Sequence, residues 1–146
     1  MTIGIVTDST CDIPADLVTK HEIVVVPAYV NMSEGSYLDG VELPREEFYT
    51  RLPDCNPPPT TAAPSPGQFQ QAYEQLAARG VTEVLSIHLS STLSNLYAAA
   101  QMAAQAMETV KVLTVDARQA SMGLGFTVLA AARAAAAGQS LAGIAD

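Results

Sequence analysis

Three short apolar runs, each handing over to a polar cluster and then to a helix signal, constrain this chain most. Thr2–Thr7 (TIGIVT) leads into Asp8-Ser9-Thr10, Thr82–His88 (TEVLSIH) into the hydroxyl run Leu89–Ser94, and Thr109–Val115 into Asp116. Runs that are apolar on both faces suit strands buried in a parallel sheet, and parallel neighbours need a crossover between them. The sequence supplies the helices for it. Pro14 opens one to about Lys20, and Pro44–Leu52 reads as another with Glu46 and Glu47 near its positive end. Ser65-Pro66-Gly67-Gln68 matches a capping box, followed by a Phe69, Tyr73, Leu76 stripe and a closing Gly80. Leu93, Tyr97, Ala100, Ala104 and Met107 mark one face of a further helix, and Ser121–Ala137 is alanine-rich and closed by Gly138. The expectation is an α/β fold: a mostly parallel sheet with helices on both faces, built from right-handed βαβ units.

Other segments read less regularly. Glu22–Val30 (EIVVVPAYV) predicts a second strand, with Pro27 at an edge or bulge, and Asn31–Gly40 a hairpin or loop. Six of the nine prolines lie between Pro53 and Pro66, around Thr60-Thr61-Ala62-Ala63. Proline restricts itself and the residue before it to extended backbone, so this segment is expected to be a rigid loop held against something. Ser140 begins a new cap signal six residues before Asp146. Residues 1–146 are therefore expected to be one domain of a longer protein.

With 49% apolar and 15% charged residues among 146, the chain has the composition of a folded domain. Net charge is −8, and the seven bases, Lys20, Arg45, Arg51, Arg79, Lys111, Arg118 and Arg133, are scattered. Without a basic patch, nucleic acid and anionic membrane surfaces are disfavoured as partners. Val84–Met107 carries no Asp, Glu, Lys or Arg, yet His88, four serines and threonines between 90 and 94, Asn95 and two glutamines interrupt it, so no membrane span is expected. The first residues lack a basic region before a long apolar one, which argues against a signal peptide. Cys11 and Cys55 form neither a disulfide framework nor a metal spacing, and a cytoplasmic protein is expected.

In open parallel sheets ligands bind beyond the carboxyl ends of the strands. Here those ends hold Asp8-Ser9-Thr10, Ser90–Ser94, and Asp116 with Ser121-Met122-Gly123 beyond it. Any one of these groups serves equally as a helix cap or turn former. The run at 89–94, however, has more hydroxyls than one cap needs, which marks a candidate anion or carbonyl site. No glycine-rich phosphate loop is present and no base adjoins the run. A single carboxylate, held by neutral hydroxyls in an apolar shell, fits better than a phosphate ester. The enzyme alternative is an α/β serine hydrolase or phosphoryl-transfer protein using Asp8, Ser90–Ser94 and Asp116, with His88 as base. Against it, G-x-S-x-G is absent, Thr10 stands where an aspartyl-phosphate site needs a second acid, and His88 reads as a packed core histidine. Asp8 and Asp116 read as acceptors for loop N–H groups.

Val6–Pro14 (VTDSTCDIP), Thr61–Ser65 (TAAPS), Ile87–Ser94 (IHLSSTLS) and Ser121–Gly125 (SMGLG) together resemble the DegV family of bacterial fatty-acid-binding proteins, in order and spacing along the whole chain. The resemblance implies a DegV-like N-terminal domain, with the family's C-terminal domain absent from these residues. It also implies that the chain is a lipid carrier and not a catalyst. The ligand would be a long-chain fatty acid with its tail buried, presented to a fatty acid kinase that forms the acyl phosphate, and no cofactor is implied. The family's carboxylate-binding Thr and Ser carry over to Thr61 and Ser94, with Ala62 and Asn95 beside them where the family has Ser and Gly. Asp8, Ser9, Ser91, Ser121, Met122 and Gly123 are further candidates, and Met122, Leu124 and Phe126 are candidates for lining the tail.

Overall fold

A computed structural model describes residues 2–145. The end at Asp146, from which a longer protein is expected, lies outside them. In chain order the elements are β1 (Ile3–Asp8), a 3-10 turn (Ser9–Cys11), α1 (Ala15–Lys20), β2 (Val24–Val26), β3 (Tyr29–Met32), β4 (Gly35–Leu38), α2 (Arg45–Arg51), a second 3-10 turn (Leu52–Asp54) and β5 (Thr60–Ala62). They continue with α3 (Pro66–Ala78), β6 (Glu83–His88), α4 (Leu96–Gln105), β7 (Lys111–Asp116), α5 (Met122–Ala136) and α6 (Leu141–Ala145).

The main sheet is parallel, in the order β2-β1-β6-β7. Side chains alternate across a strand, so each strand feeds two layers. Tyr73 of α3 bonds Ser86, and Phe69 of α3 packs edge-on against His88, which sets α3 over the even-numbered face of β6. Leu85 and Ile87, on the other face, line an apolar cavity with Ala130, Ala131 and Ala134 of α5. The sheet is thus covered on both sides, as its two-faced apolar strands require. The capping box forms as read: the Gln68 side chain accepts the Ser65 N–H at 2.9 Å, and Gly80 closes the same helix at φ +85°.

Three readings need correction. Glu22–Val30 is two strands in two sheets, because Pro27 has no N–H to continue a ladder; β2 joins the main sheet while β3 leaves it. The freed β3 forms a two-residue hairpin with β4, and Thr60–Ala62 pairs with its other edge in a small antiparallel sheet β4-β3-β5. Within the proline-rich segment Thr60–Ala62 is therefore a short strand, not a loop, and the segment is held against β3. Finally, α4 starts at Leu96 and buries Leu96, Ala100 and Ala103, leaving Leu93 66% exposed ahead of it. In an alanine-rich helix the apolar stripe has several equivalent phases, and here the phase that buries Leu96 is the one adopted, with Met102 left exposed.

The approach of α5 to the turn after β1 is closer than any side chain permits. A Cβ on Gly125 would lie 2.5 Å from the Cys11 carbonyl oxygen and 3.1 Å from Ile13. Gly125→Ala is expected to destabilise the fold by about 1–3 kcal/mol despite alanine's better helix propensity, since the obstruction is backbone. Chemical denaturation of the two proteins measures it; an equally or more stable variant would show that this contact is loose.

Candidate functional site

The strand ends are organised by one buried carboxylate. Asp8 closes β1 with no exposed surface, and its two oxygens take different partners. Oδ1 accepts the Thr10 N–H (3.1 Å) and the Thr10 hydroxyl (2.5 Å); Oδ2 accepts the Leu89 N–H (3.1 Å) and the His88 Nδ1–H (2.9 Å). His88 Nε2 in turn meets Ser86 Oγ at 2.6 Å, and Ser86 meets the Tyr73 hydroxyl at 2.8 Å. Burial raises the Asp8 pKa, but the hydrogen bond and charge of His88, with the Thr10 and Leu89 donors, outweigh it and hold the group below the usual carboxylate value. Burial pushes the Tyr73 phenol up to about 12. His88 and Asp8 are the core histidine and N–H acceptor that the sequence suggests. His88 bonds Ser86, which is sealed behind Tyr73, while Ser90 is taken up by Thr92.

The hydroxyl run folds into a tight turn. The Ser90 carbonyl accepts the N–H groups of Leu93 and Ser94, and Ser94 Oγ accepts the Leu96 N–H at 3.3 Å, just ahead of α4. Asn95 is exposed at the helix start with no side-chain cap bond. Ser91 donates its hydroxyl to Asp116 at 2.6 Å, so the turns after β6 and β7 are tied together. That bond, and the N–H groups of Arg118 and Ser91, lower the Asp116 pKa. Ser9 is occupied structurally, accepting the Ala28 N–H at 3.0 Å across the break between β2 and β3.

Thr61 lies on β5 opposite Val30, and Ala62 beside it opposite Tyr29. Thr61 lines a groove of about 350 Å³ with Thr10, Asp12, Arg45, Phe48 and Ser121 among its walls. The sequence suggested hydroxyls without a cation, and this groove corrects that. Arg45 pairs with Asp12, which also accepts the Ser121 hydroxyl. Asp12 and Ser121 both sit at positive φ, 54° and 53°, a strained backbone held by that side-chain bond. Read from the sequence, Arg45 is one of the scattered bases; the one signal that sets it apart is its place in the first turn of α2, where the helix dipole disfavours a base. Ser94 is not among the groove's lining residues. Met122 and Gly123 begin α5; Leu124 is fully buried in the core and Phe126 is 66% exposed, so these two do not line one surface. Among the described residues no cluster of three His, Cys, Asp or Glu is placed to hold a metal, and no helix is long and apolar enough to cross a membrane.

Comparison with known proteins places these features in context. The family model described as "Uncharacterised protein, DegV family" matches residues 2–146. A DegV domain-containing protein of Clostridium perfringens is 38% identical over 131 residues, covering 90% of this chain and 47% of that protein. One from Caldanaerobacter subterraneus is 40% identical over 138 residues, 94% of this chain and 49% of its own. This chain thus spans about half the length of the curated relatives it matches. Among solved structures, a DegV family protein from Thermus thermophilus, described as binding fatty acid, superimposes with a TM-score of 0.89 at 39% identity over 99% of this chain and 51% of its own. DegV of Bacillus subtilis, described as a fatty acid binding protein, gives 0.92 at 32% identity over 99% of this chain and 51% of its own.

The Asp8 network makes stability depend on acid in a defined direction. A carboxyl whose folded pKa is depressed contributes fully above its ordinary value, and that contribution fades as pH falls through the folded one. Asp8→Asn is expected to cost about 1.5–3 kcal/mol at neutral pH, as for weakening buried hydrogen bonds to a charged acceptor. The gap to the unmodified chain should narrow from pH 5 to pH 2 in denaturation curves. A gap that stays constant or widens toward acid would mean that Asp8 is protonated in the folded chain.

Proposed function

This chain belongs to the DegV family, and from that premise we propose that it binds a long-chain fatty acid, holding the carboxylate with Thr61 and Ser94 while the acyl tail is buried. The observation that carries the reading is the match over 99% of the chain to two solved relatives, 39% and 32% identical, described as binding fatty acids. The site supports it on physical grounds. Thr61 stands on a strand paired to β3, so little order remains to be lost on binding. Ser94 stands at the start of α4, where the first N–H groups lack helical partners and favour an anion. Arg45 supplies a cation in the Thr61 groove, and its pairing with Asp12 keeps it from being a general anion trap. Each buried methylene contributes about 0.8 kcal/mol, so the tail dominates affinity while the head group sets orientation.

On this reading the protein is a carrier in the cytoplasm. It presents the acid to a kinase that phosphorylates the carboxylate, with no cofactor of its own. The hydrolase alternative lacks a nucleophile on His88, since Ser86 is sealed from solvent.

Thr61→Val combined with Ser94→Ala is expected to weaken palmitate binding by at least about tenfold, the loss of two hydrogen bonds to a charged group. Calorimetric titration of both proteins measures this, and unchanged affinity would reject the assignment. Native mass spectrometry of the purified chain adds a direct check: a co-purifying mass of a C14–C18 acid supports the substrate class.

A further inference from the structure

We infer that Asp8 is a positioning residue for the fatty-acid site, its single buried carboxylate fixing the turn after β1 against the turn after β6. The inference rests on the proposed fatty-acid reading and adds a residue that never touches the ligand.

The geometry divides the labour between two oxygens. Oδ1 holds Thr10 by both its N–H and its hydroxyl, and Thr10 lines the groove that contains Thr61. Oδ2 holds the Leu89 N–H, and the next residue, Ser90, presents the carbonyl that accepts the N–H groups of Leu93 and Ser94. Two oxygens of one rigid carboxylate therefore link the Thr61 side of the site to the Ser94 side. Neither backbone N–H is part of the main sheet's ladders, so both depend on this acceptor.

The carboxylate is itself prevented from turning. His88 holds Oδ2, is wedged edge-on against Phe69 with ring centroids 5.0 Å apart, and is backed by Ser86 and Tyr73. Asp8, His88 and Ser86 have no exposed surface, so the assembly is dry and its hydrogen bonds are strong. A core needing only stability is served as well by apolar side chains here. What apolar residues cannot supply is an acceptor for two separate turns.

The Tyr73 end of the network touches neither turn, which separates positioning from stability. Asp8→Asn, Tyr73→Phe and the unmodified chain are compared by palmitate titration calorimetry and by amide hydrogen exchange at Thr10 and Leu89, well below their melting temperatures. Asp8→Asn should weaken palmitate by about tenfold and expose both amides to exchange, while Tyr73→Phe should lower the melting temperature with affinity within about twofold. Should Asp8→Asn fail to fold, Thr10→Val, which keeps the shape and loses the hydroxyl, should weaken binding about threefold and Thr10→Ser should restore it. Palmitate affinity unchanged in Asp8→Asn or Thr10→Val, or lost in Tyr73→Phe in step with its melting temperature, overturns the inference alone. No binding by the unmodified chain overturns the fatty-acid reading as well.

Discussion

A carboxylate taken out of water is tolerated only if every lone pair finds a donor, and the C-terminal edge of this sheet is arranged to meet that demand. Asp8 receives Thr10 twice, Leu89 once and His88 once, and the donors come from both ends of a segment about eighty residues long. Satisfying the charge and assembling the site are thus the same event. Around this point the turns are joined by further side-chain bonds: Ser91 to Asp116, Ser121 and Arg45 to Asp12, and Ser9 to the Ala28 N–H. The strand-end hydroxyls are mostly occupied by these bonds.

The parts of the fold that rest on local chemistry were legible in the sequence. Gln68 folding back on Ser65, the closing glycines Gly80 and Gly138, and the βαβ alternation each depend on residues a few positions apart. What was not legible depends on tertiary choice. Pro27 announces a break in pairing but not that the chain then changes sheet. Nor do six prolines around Thr60–Ala62 reveal that an edge of β3 awaits them.

The site was half legible for the same reason. Asp8, Ser91 and Ser121 stand out as polar residues after apolar strands, and the structure gives each a partner. Those partners lie far away in sequence: His88 is 80 residues from Asp8, Ser121 is 109 from Asp12, and Arg45 is 33 from Asp12. Arg45 illustrates the limit. Read alone it is one scattered base in an acidic chain; folded, α2 brings it back over the turn after β1 and gives the groove its cation. Charge counted along the sequence says little about charge counted around a cavity.

The account stands on the proposed binding of one carboxylate by Thr61 of β5 and Ser94 ahead of α4. Its most direct test is a crystal structure of this chain grown with palmitate. The head-group oxygens should lie about 2.5–3.0 Å from Thr61 Oγ1 and from Ser94 Oγ, with Asp8 still bridging Thr10 and Leu89. Palmitate seated with its head group away from both hydroxyls would contradict it.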